Sequence, residues 1–492
     1  MSTVADVVVM GIDETVQEYF GPVSDWIVGK VFYAVDINGA SVPLIVLWLI
    51  IAAIFFTGWL GFPQFSLKHS INLVRGRYSK PEDAGEVSHF QALATAVSGT
   101  VGLGNIAGVA VAISLGGPGA TFWMIVAGFF GMAAKMAECT LGVMYRQEHA
   151  DGSVSGGPMY YLRDGVRQVT GNAALGKFLA AFFAVCCIGG ALGGGNMFQA
   201  NQATVQIVAV TGGEDSFFSG LNWLVGVLFA LAVGAVIIGG IKSIAKVTEK
   251  IVPLMAGIYL AACLVVILGS ISEVPAAFGD IISGAFSAEG IAGGFVGVLI
   301  VGFQRAAFSN EAGIGSASIA HSAVKTEEPA TEGFVALLEP LIDTIIICTM
   351  TALTIVITGA WNDPDAAELG GVGLTSRAFE SVLPWFPNVL AVAVVLFAFS
   401  TMISWSYYGM KATGYLFGDS ATAEMVFKVV FCVFTVIGAS MSLGPVIGFS
   451  DAMIFMMSIA NVIGLYILAR TLKNEIKRHR AKVQSGEFAR VK

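Results

Sequence analysis

The 492-residue chain is 56% hydrophobic and 12% charged, its mean hydropathy is +0.79, and its apolar runs are repeatedly long enough to cross a hydrocarbon core of about 30 Å. These figures exclude an ordinary soluble enzyme and predict an all-α polytopic membrane protein. The formal net charge of −8 points to no partner, because the distribution of charge across a bilayer matters more than its sum.

Residues 1–41 carry Asp6, Asp13, Glu14, Glu18 and Asp25 among short apolar patches, without the basic start and single apolar run of a cleavable signal peptide. The first spanning helix is expected at Val42 to Leu60 and should itself direct insertion. Lys68, Arg75, Arg77 and Lys80 follow it, which puts its C-terminal end in the cytoplasm and the N-terminus outside. Ten further spans are predicted near 89–113, 119–145, 175–210, 219–239, 251–269, 290–319, 332–359, 385–412, 425–443 and 446–470. Alternation then assigns Arg146, Arg163, Arg167, Lys177, Lys242, Lys246, Lys250, Lys325, Lys411, Lys428 and the tail from Arg470 to Lys492 to the cytoplasm, and only Lys30 and Arg377 to the outside. So lopsided a partition supports about eleven spans and a cytoplasmic C-terminus.

The second span contains Ser98-Gly-Thr-Val-Gly-Leu-Gly-Asn-Ile-Ala-Gly108. Each glycine lowers helix propensity by about 1 kcal/mol relative to alanine, and an unwound turn frees backbone groups that lipid cannot satisfy. One reading is the discontinuous helix of a transporter, where freed N–H groups hold an anionic substrate group and freed carbonyls a cation. The other is a small-residue face for close helix packing. The seventh span is interrupted in the same way by Phe308-Ser-Asn-Glu-Ala-Gly-Ile-Gly-Ser316. The interruptions are five spans apart, so residues 88–270 and 271–470 read as two five-helix repeats. The odd number per repeat inverts one against the other. Residues 1–87 precede them with the extra N-terminal helix, and 471–492 form a basic tail.

In the first break, Leu103 and Gly104 would offer N–H groups to a carboxylate, while the Ser98 and Val101 carbonyls and the Asn105 side chain would offer oxygens to a hard cation. In the second, carbonyls from Phe303 to Ala307 suit an ammonium group, with Ser309 and Asn310 as polar lining. Neighbouring helices or water could satisfy the same backbone groups. Asn196, Gln199, Asn201 and Gln202 lie in an otherwise apolar span as interhelical contacts or pocket lining, and the i, i+3 spacing of Asn196 and Gln199 favours a shared pocket face. Ser400 and Thr401 set adjacent hydroxyls in the ninth span, with Trp405 one turn beyond Thr401.

Ionisable groups at membrane depth mark pairs or pathways. Lys135 and Glu138, at i and i+3, are expected to pair. Arg305, Glu311, Glu339 and Asp343 surround the second break, as a structural charge network or as a gate; Asp451 is left unassigned. The six cysteines have neither zinc-type nor disulfide spacing and read as small core hydrophobes. No nucleotide-binding loop, metal cluster or nucleophile with a base supports ATP-driven transport or catalysis.

Gly99-Thr-Val-Gly-Leu-Gly-Asn-Ile-Ala-Gly108, Gly156-Gly-Pro-Met-Tyr-Tyr161, the Phe308–Ser316 stretch followed by Ala320-His321, and Glu339-Pro-Leu-Ile-Asp-Thr344 together resemble the alanine or glycine:cation symporter family. The likeness runs over nearly the whole chain beyond the first helix and implies a LeuT-type 5+5 inverted repeat. It also implies sodium-coupled uptake of alanine, glycine or a similarly small neutral amino acid across the plasma membrane, with sodium as transported ligand and no cofactor. Val101-Gly-Leu-Gly-Asn105 is similar to the first-helix break of the neurotransmitter:sodium symporters. That comparison implies a sodium site of Ser98, Val101, Ser400 and Thr401, a second sodium position at Asn105, and a carboxylate-binding turn at Gly102, Leu103 and Gly104. Thr100, Gln199, Phe308 and Trp405 would close a small pocket around the substrate side chain, with Asn196, Ser309 and Asn310 as further lining. An amino acid sensor without net flux and a proton-coupled transporter are the alternatives. The lipid bilayer is the expected surroundings, no nucleic-acid partner is expected, and the sequence sets no oligomeric state.

Overall fold

The computed structural model describes residues 12–37, 39–78, 83–150, 152–287, 294–364 and 369–488, and most of the described chain is helical. In chain order the main helices are α1 (Ile12–Val31), α2 (Leu44–Trp59), α3 (Leu67–Val74), α4 (His89–Thr100), α5 (Ala107–Gly116), α6 (Gly119–Met144), α7 (Ala173–Val210), α8 (Asn222–Ile237) and α9 (Gly240–Gly269). They are followed by α10 (Val274–Ala285), α11 (Gly294–Asn310), α12 (Ala317–His321), α13 (Pro329–Ile357), α14 (Gly371–Glu380), α15 (Phe386–Phe417), α16 (Ala421–Ser440) and α17 (Leu443–Ser485). Two short antiparallel hairpins, Ala34–Ile37 with Ala40–Pro43 and Gln147–Glu148 with Val154–Ser155, are the strand pairs of the described residues.

Helix lies in each of the eleven predicted segments, with residues 290–293 of the seventh outside the described residues. Seven helices (α6, α7, α9, α13, α15, α16 and α17) are long and apolar enough to cross a membrane, and the bent pairs α2/α3 and α4/α5 bring the number to nine. The remaining two segments are shorter in the structure, because α8 has 16 residues and α11 has 17. Helices α1, α10 and α14 were not anticipated: the charges of α1 and the short lengths of the other two hide them from a hydropathy reading.

Local signals explain where the helices that position the breaks begin. A reciprocal capping box opens α4: Gln91 N–H donates to Ser88 Oγ at 3.2 Å and Ser88 N–H to Gln91 Oε1 at 3.1 Å, satisfying two orphan donors. Asn172 Oδ1 accepts from Leu175 N–H at 3.0 Å at the start of α7, and Pro329 opens α13, where its missing N–H costs nothing.

Helices α6, α7, α13 and α17 are largely buried, whereas α9 and α16 turn most of their surface outward. Against α6 pack α11 and α13, and against α7 pack α15 and α17. The far ends of the two interrupted helices are joined outside this bundle, where Val87 and Val324 form a parallel bridge. Arg146 locks that junction, donating to the carbonyls of Ala84, Ser322, Val324 and Thr326.

Candidate functional site

The first interruption is a real one. Helix α4 ends at Thr100, a single tight turn spans Leu103–Asn105, and α5 leaves at 56° to α4. The groups this frees find polar partners on other helices, as burial in an apolar setting demands. Leu103 N–H donates to Gln199 Oε1 at 2.9 Å, and Gln199 is itself held by its Nε2 donating to the Gly194 carbonyl at 2.9 Å. Gly102 N–H donates to Asn105 Oδ1 at 2.9 Å. The Asn105 carbonyl accepts from Thr351 Oγ1 at 2.7 Å and the Ile106 carbonyl from Thr375 Oγ1 at 3.2 Å.

Helix α15 lies along this turn. Thr401 Oγ1 donates to the Ser98 carbonyl at 2.9 Å, and Ser98 Oγ to the Ser400 carbonyl at 2.7 Å. Ser400 Oγ donates to the Phe397 carbonyl of its own helix at 3.0 Å. Close approach explains Gly102: a Cβ there would lie 2.4 Å from Thr401 Oγ1 and 3.0 Å from Gln199 Oε1. Val101 is buried in the same turn, its N–H bonded to the Val97 carbonyl. Thr100 Oγ1 returns to the Ala96 and Val97 carbonyls, both at 3.3 Å.

The second interruption runs between α11 and α12, through Glu311, Gly313 and Gly315 in left-handed conformations (φ +57°, +85° and +96°). Trp405 ties the two breaks together, its indole N–H donating to the Gly99 carbonyl at 3.2 Å and to Glu311 Oε1 at 3.0 Å. The ring lies so close to the wide turn at Gly193–Met197 in α7 that a Cβ on Gly195 would be 2.2 Å from Trp405 Cγ. The Cβ position of Gly104 is 3.4 Å from Ser309 Cα and 3.6 Å from the Phe308 ring. Phe308 meets Phe198 edge to face at 5.2 Å.

Asp343 on α13 joins both breaks from the other side. Asn105 Nδ2 donates to its Oδ1 at 2.6 Å, and Ser309 Oγ and Thr344 Oγ1 donate to its Oδ2 at 2.9 and 2.6 Å. Asn310 Nδ2 donates to Thr344 Oγ1 at 2.9 Å. Thus Ser98, Val101, Gly102, Leu103, Gly104, Asn105, Gln199, Phe308, Ser309, Asn310, Ser400, Thr401 and Trp405 converge on the paired breaks, while Thr100 turns its hydroxyl to its own helix. Asn196 faces elsewhere: its Nδ2 donates to the Phe431 carbonyl and its Oδ1 accepts from Thr435 Oγ1 at 2.8 Å, both on α16. The wide turn separates it from Gln199, because the i, i+3 face assumed for the pair holds only in a regular α-helix.

The buried charges are arranged differently from expectation. Lys135 Nζ pairs with Glu339 Oε2 at 3.2 Å, and Glu138 Oε1 instead accepts from Asn461 Nδ2 at 2.8 Å. Helix α13 supplies the carboxylate to the ammonium, a long-range choice that spacing within α6 could not reveal. Arg305 pairs with Asp451, the acid left unassigned. Glu332, which the sequence reading passed over, lies between His89 and His321, and His321 reaches Glu339. Among the described residues, Cys139, His321 and Glu339 have ligand-type atoms within 4.8 Å of one another, but the Lys135 ammonium on Glu339 opposes a metal cation there.

The chain is 40% identical over 437 residues to the sodium/alanine symporter AgcS of Methanococcus maripaludis, covering 88% of this chain and 94% of the relative. It is 32% identical over 449 residues to the probable sodium/glutamine symporter GlnT of Bacillus subtilis, covering 90% and 89%. The crystal structure of MhsT in complex with L-phenylalanine superposes with a TM-score of 0.53 at 16% identity, over 80% of this chain and 98% of that one, which shows a shared LeuT-like fold. A profile described as the sodium:alanine symporter family matches residues 27–492. The chain therefore belongs to the sodium:alanine symporter family, and it is a multi-pass cation-coupled amino acid transporter of the plasma membrane rather than an enzyme.

Proposed function

We propose that this protein couples sodium entry to the uptake of alanine or glycine by alternating access around the paired breaks. The observation that carries the reading is the Leu103 N–H, freed by the first break and aimed at a single acceptor, Gln199 Oε1, at 2.9 Å. A donor at the positive end of α5 is of the kind that receives a substrate carboxylate oxygen, and Gln199, anchored on the Gly194 carbonyl, holds the turn that presents it. The Ser98 and Val101 carbonyls, with the Ser400 and Thr401 oxygens, form the sodium site in this reading, and Asn105 beside Asp343 forms a second position. The α8 and α11/α12 segments complete eleven spans, residues 88–270 and 271–470 are the inverted repeats, and the basic tail is cytoplasmic. Cation binding favours the substrate-competent state, and coupling is that difference in affinity between states.

Substrate size follows from what surrounds the turn. In this reading glycine backbone, Phe308 and Trp405 bound the substrate side chain and penalise larger ones by overpacking, whereas a lost methylene costs only about 1–3 kcal/mol. The test is uptake into proteoliposomes with a competition panel of alanine, glycine, serine, glutamine and leucine in sodium, lithium or choline. Sodium-dependent accumulation that alanine and glycine block supports the reading. Leucine or glutamine competing as well as alanine refutes the size limit, and saturable binding without accumulation makes the protein a sensor.

A further inference from the structure

Helices α8 and α16 pack against each other at the periphery of the bundle. Gly226 lies against Val436 and Ala439, and Ala230 against Cys432, so the two run antiparallel and the Ile238 end of α8 meets the Met425 end of α16. A groove of about 380 Å³ follows their seam from Val227 to Ile238 on α8 and from Val436 to Met425 on α16. At about 1.5 Å per residue it is about 16 Å long, close to one leaflet of a hydrocarbon core about 30 Å thick. Leu231, Ile238, Val429 and Val433 along it are each more than half exposed, an apolar surface that a bilayer covers with acyl chain rather than water.

The groove is polar at one end only. Among the described residues that line it, Lys428 is the one charged side chain, 13% exposed and placed toward the Ile238 end. Beyond Ile238 the chain turns through Gly239 and Gly240 into α9, whose start carries Lys242 and Lys246 one turn apart and exposed. The carboxylate facing Lys428 is Glu424, at 3.7 Å and 41% exposed. Three ammonium groups against one carboxylate leave this end positive, and a cluster of that sign beside an apolar seam suits a lipid headgroup phosphate. We propose that the α8–α16 groove holds an acyl chain of an anionic phospholipid whose phosphate sits on Lys428, with Lys242 and Lys246 about its headgroup. A zwitterionic lipid brings its own cation to the same place and gains less. In the topology read above this is the cytoplasmic leaflet. The lipid braces α16 from outside, and on its other side α16 holds α7: Phe431 and Thr435 bond Asn196, and the Cβ position of Gly438 is 2.4 Å from Met197 Cα. Asn196 and Met197 belong to the wide turn that leads into Gln199, so occupancy of the groove steadies the turn from which Gln199 reaches the first break.

Binding is read without transport, so this inference stands or falls apart from the symport reading. The full-length protein in detergent is titrated with phosphatidylglycerol or with phosphatidylcholine of the same chains, and retained lipid is counted by native mass spectrometry alongside the melting temperature. The wild type should retain phosphatidylglycerol in preference and melt at higher temperature with it. Lys428→Gln should weaken that binding about fivefold, and Lys242→Gln and Lys246→Gln in the same chain should weaken it by about as much again for each. Gly234→Leu tests the apolar half: a Cβ there meets only Cys432 Sγ, at 3.7 Å, so the new side chain enters the groove without a clash and should displace the acyl chain while all three lysines remain. Lys177→Gln, at an exposed lysine near the start of α7, removes one charge away from the groove and should leave binding unchanged. An undiminished phosphatidylglycerol preference in the triple lysine variant, or an equal loss in Lys177→Gln, would overturn the headgroup site. Full retention in a folded Gly234→Leu would take the acyl chain out of the groove, and a dimer mass with no lipid retained would give this face to a second copy of the chain instead.

Discussion

Removing the Thr401 hydroxyl isolates the cation half of the site. Thr401 Oγ1 is bonded to the Ser98 carbonyl at 2.9 Å and packs over Gly102, where the absent Cβ would lie 2.4 Å away. Thr401→Val keeps the branched shape but deletes an oxygen from the inferred sodium shell and leaves the Ser98 carbonyl without this donor. The lost oxygen ligand, taken at the about 1–3 kcal/mol of a polar contact to a charged group, should lower sodium affinity by about 5- to 150-fold. Thr401→Ser retains the oxygen and should stay near wild type. The assay is alanine uptake into proteoliposomes over a sodium titration, with membrane insertion checked for each variant. If sodium and alanine bind cooperatively, the alanine affinity of Thr401→Val weakens at low sodium and recovers in part at saturation, because linkage is reciprocal. An inserted Thr401→Val with the wild-type sodium dependence would remove this hydroxyl from the site.

Gln199→Leu, which deletes the acceptor facing Leu103 N–H, should weaken alanine binding at every sodium concentration, measured by competition at low and saturating sodium; full recovery at high sodium would contradict that role. Gly102→Ala should insert but transport about 5- to 150-fold more slowly, since overpacking against the Thr401 hydroxyl costs about 1–3 kcal/mol, and Thr401→Ala in the same chain should relieve part of the loss at saturating sodium. Asn196→Leu should leave sodium and alanine affinities unchanged while lowering the melting temperature in detergent, because both of its polar groups serve α16; a changed alanine affinity would return Asn196 to the pocket.

The two breaks were legible because their signal is local: glycines and polar residues clustered at mid-span contradict a continuous membrane helix, and no neighbour is needed to see it. The pairing of Ser98 with Ser400 and Thr401, across 302 and 303 residues, entered only through resemblance, since hydroxyls in an apolar helix usually bond their own carbonyls. Thr100 does so here. Partners of buried charges were illegible for a related reason. Within α6 the spacing of Lys135 and Glu138 permits a pair, but the ammonium goes to whichever carboxylate the fold presents, and α13 presents Glu339. The Asn196 expectation failed on backbone geometry, because a periodicity argument presumes 3.6 residues per turn and the glycine run at 193–195 opens a wider turn at that point. Trp405 was placed in the pocket by resemblance, yet its bond to Glu311 gives it a second task, since a buried carboxylate needs a donor on each oxygen and Ser316 Oγ serves only Oε2. The same indole N–H also reaches the Gly99 carbonyl of the first break, so the position of Glu311 and that of the tryptophan are coupled by contact to both breaks.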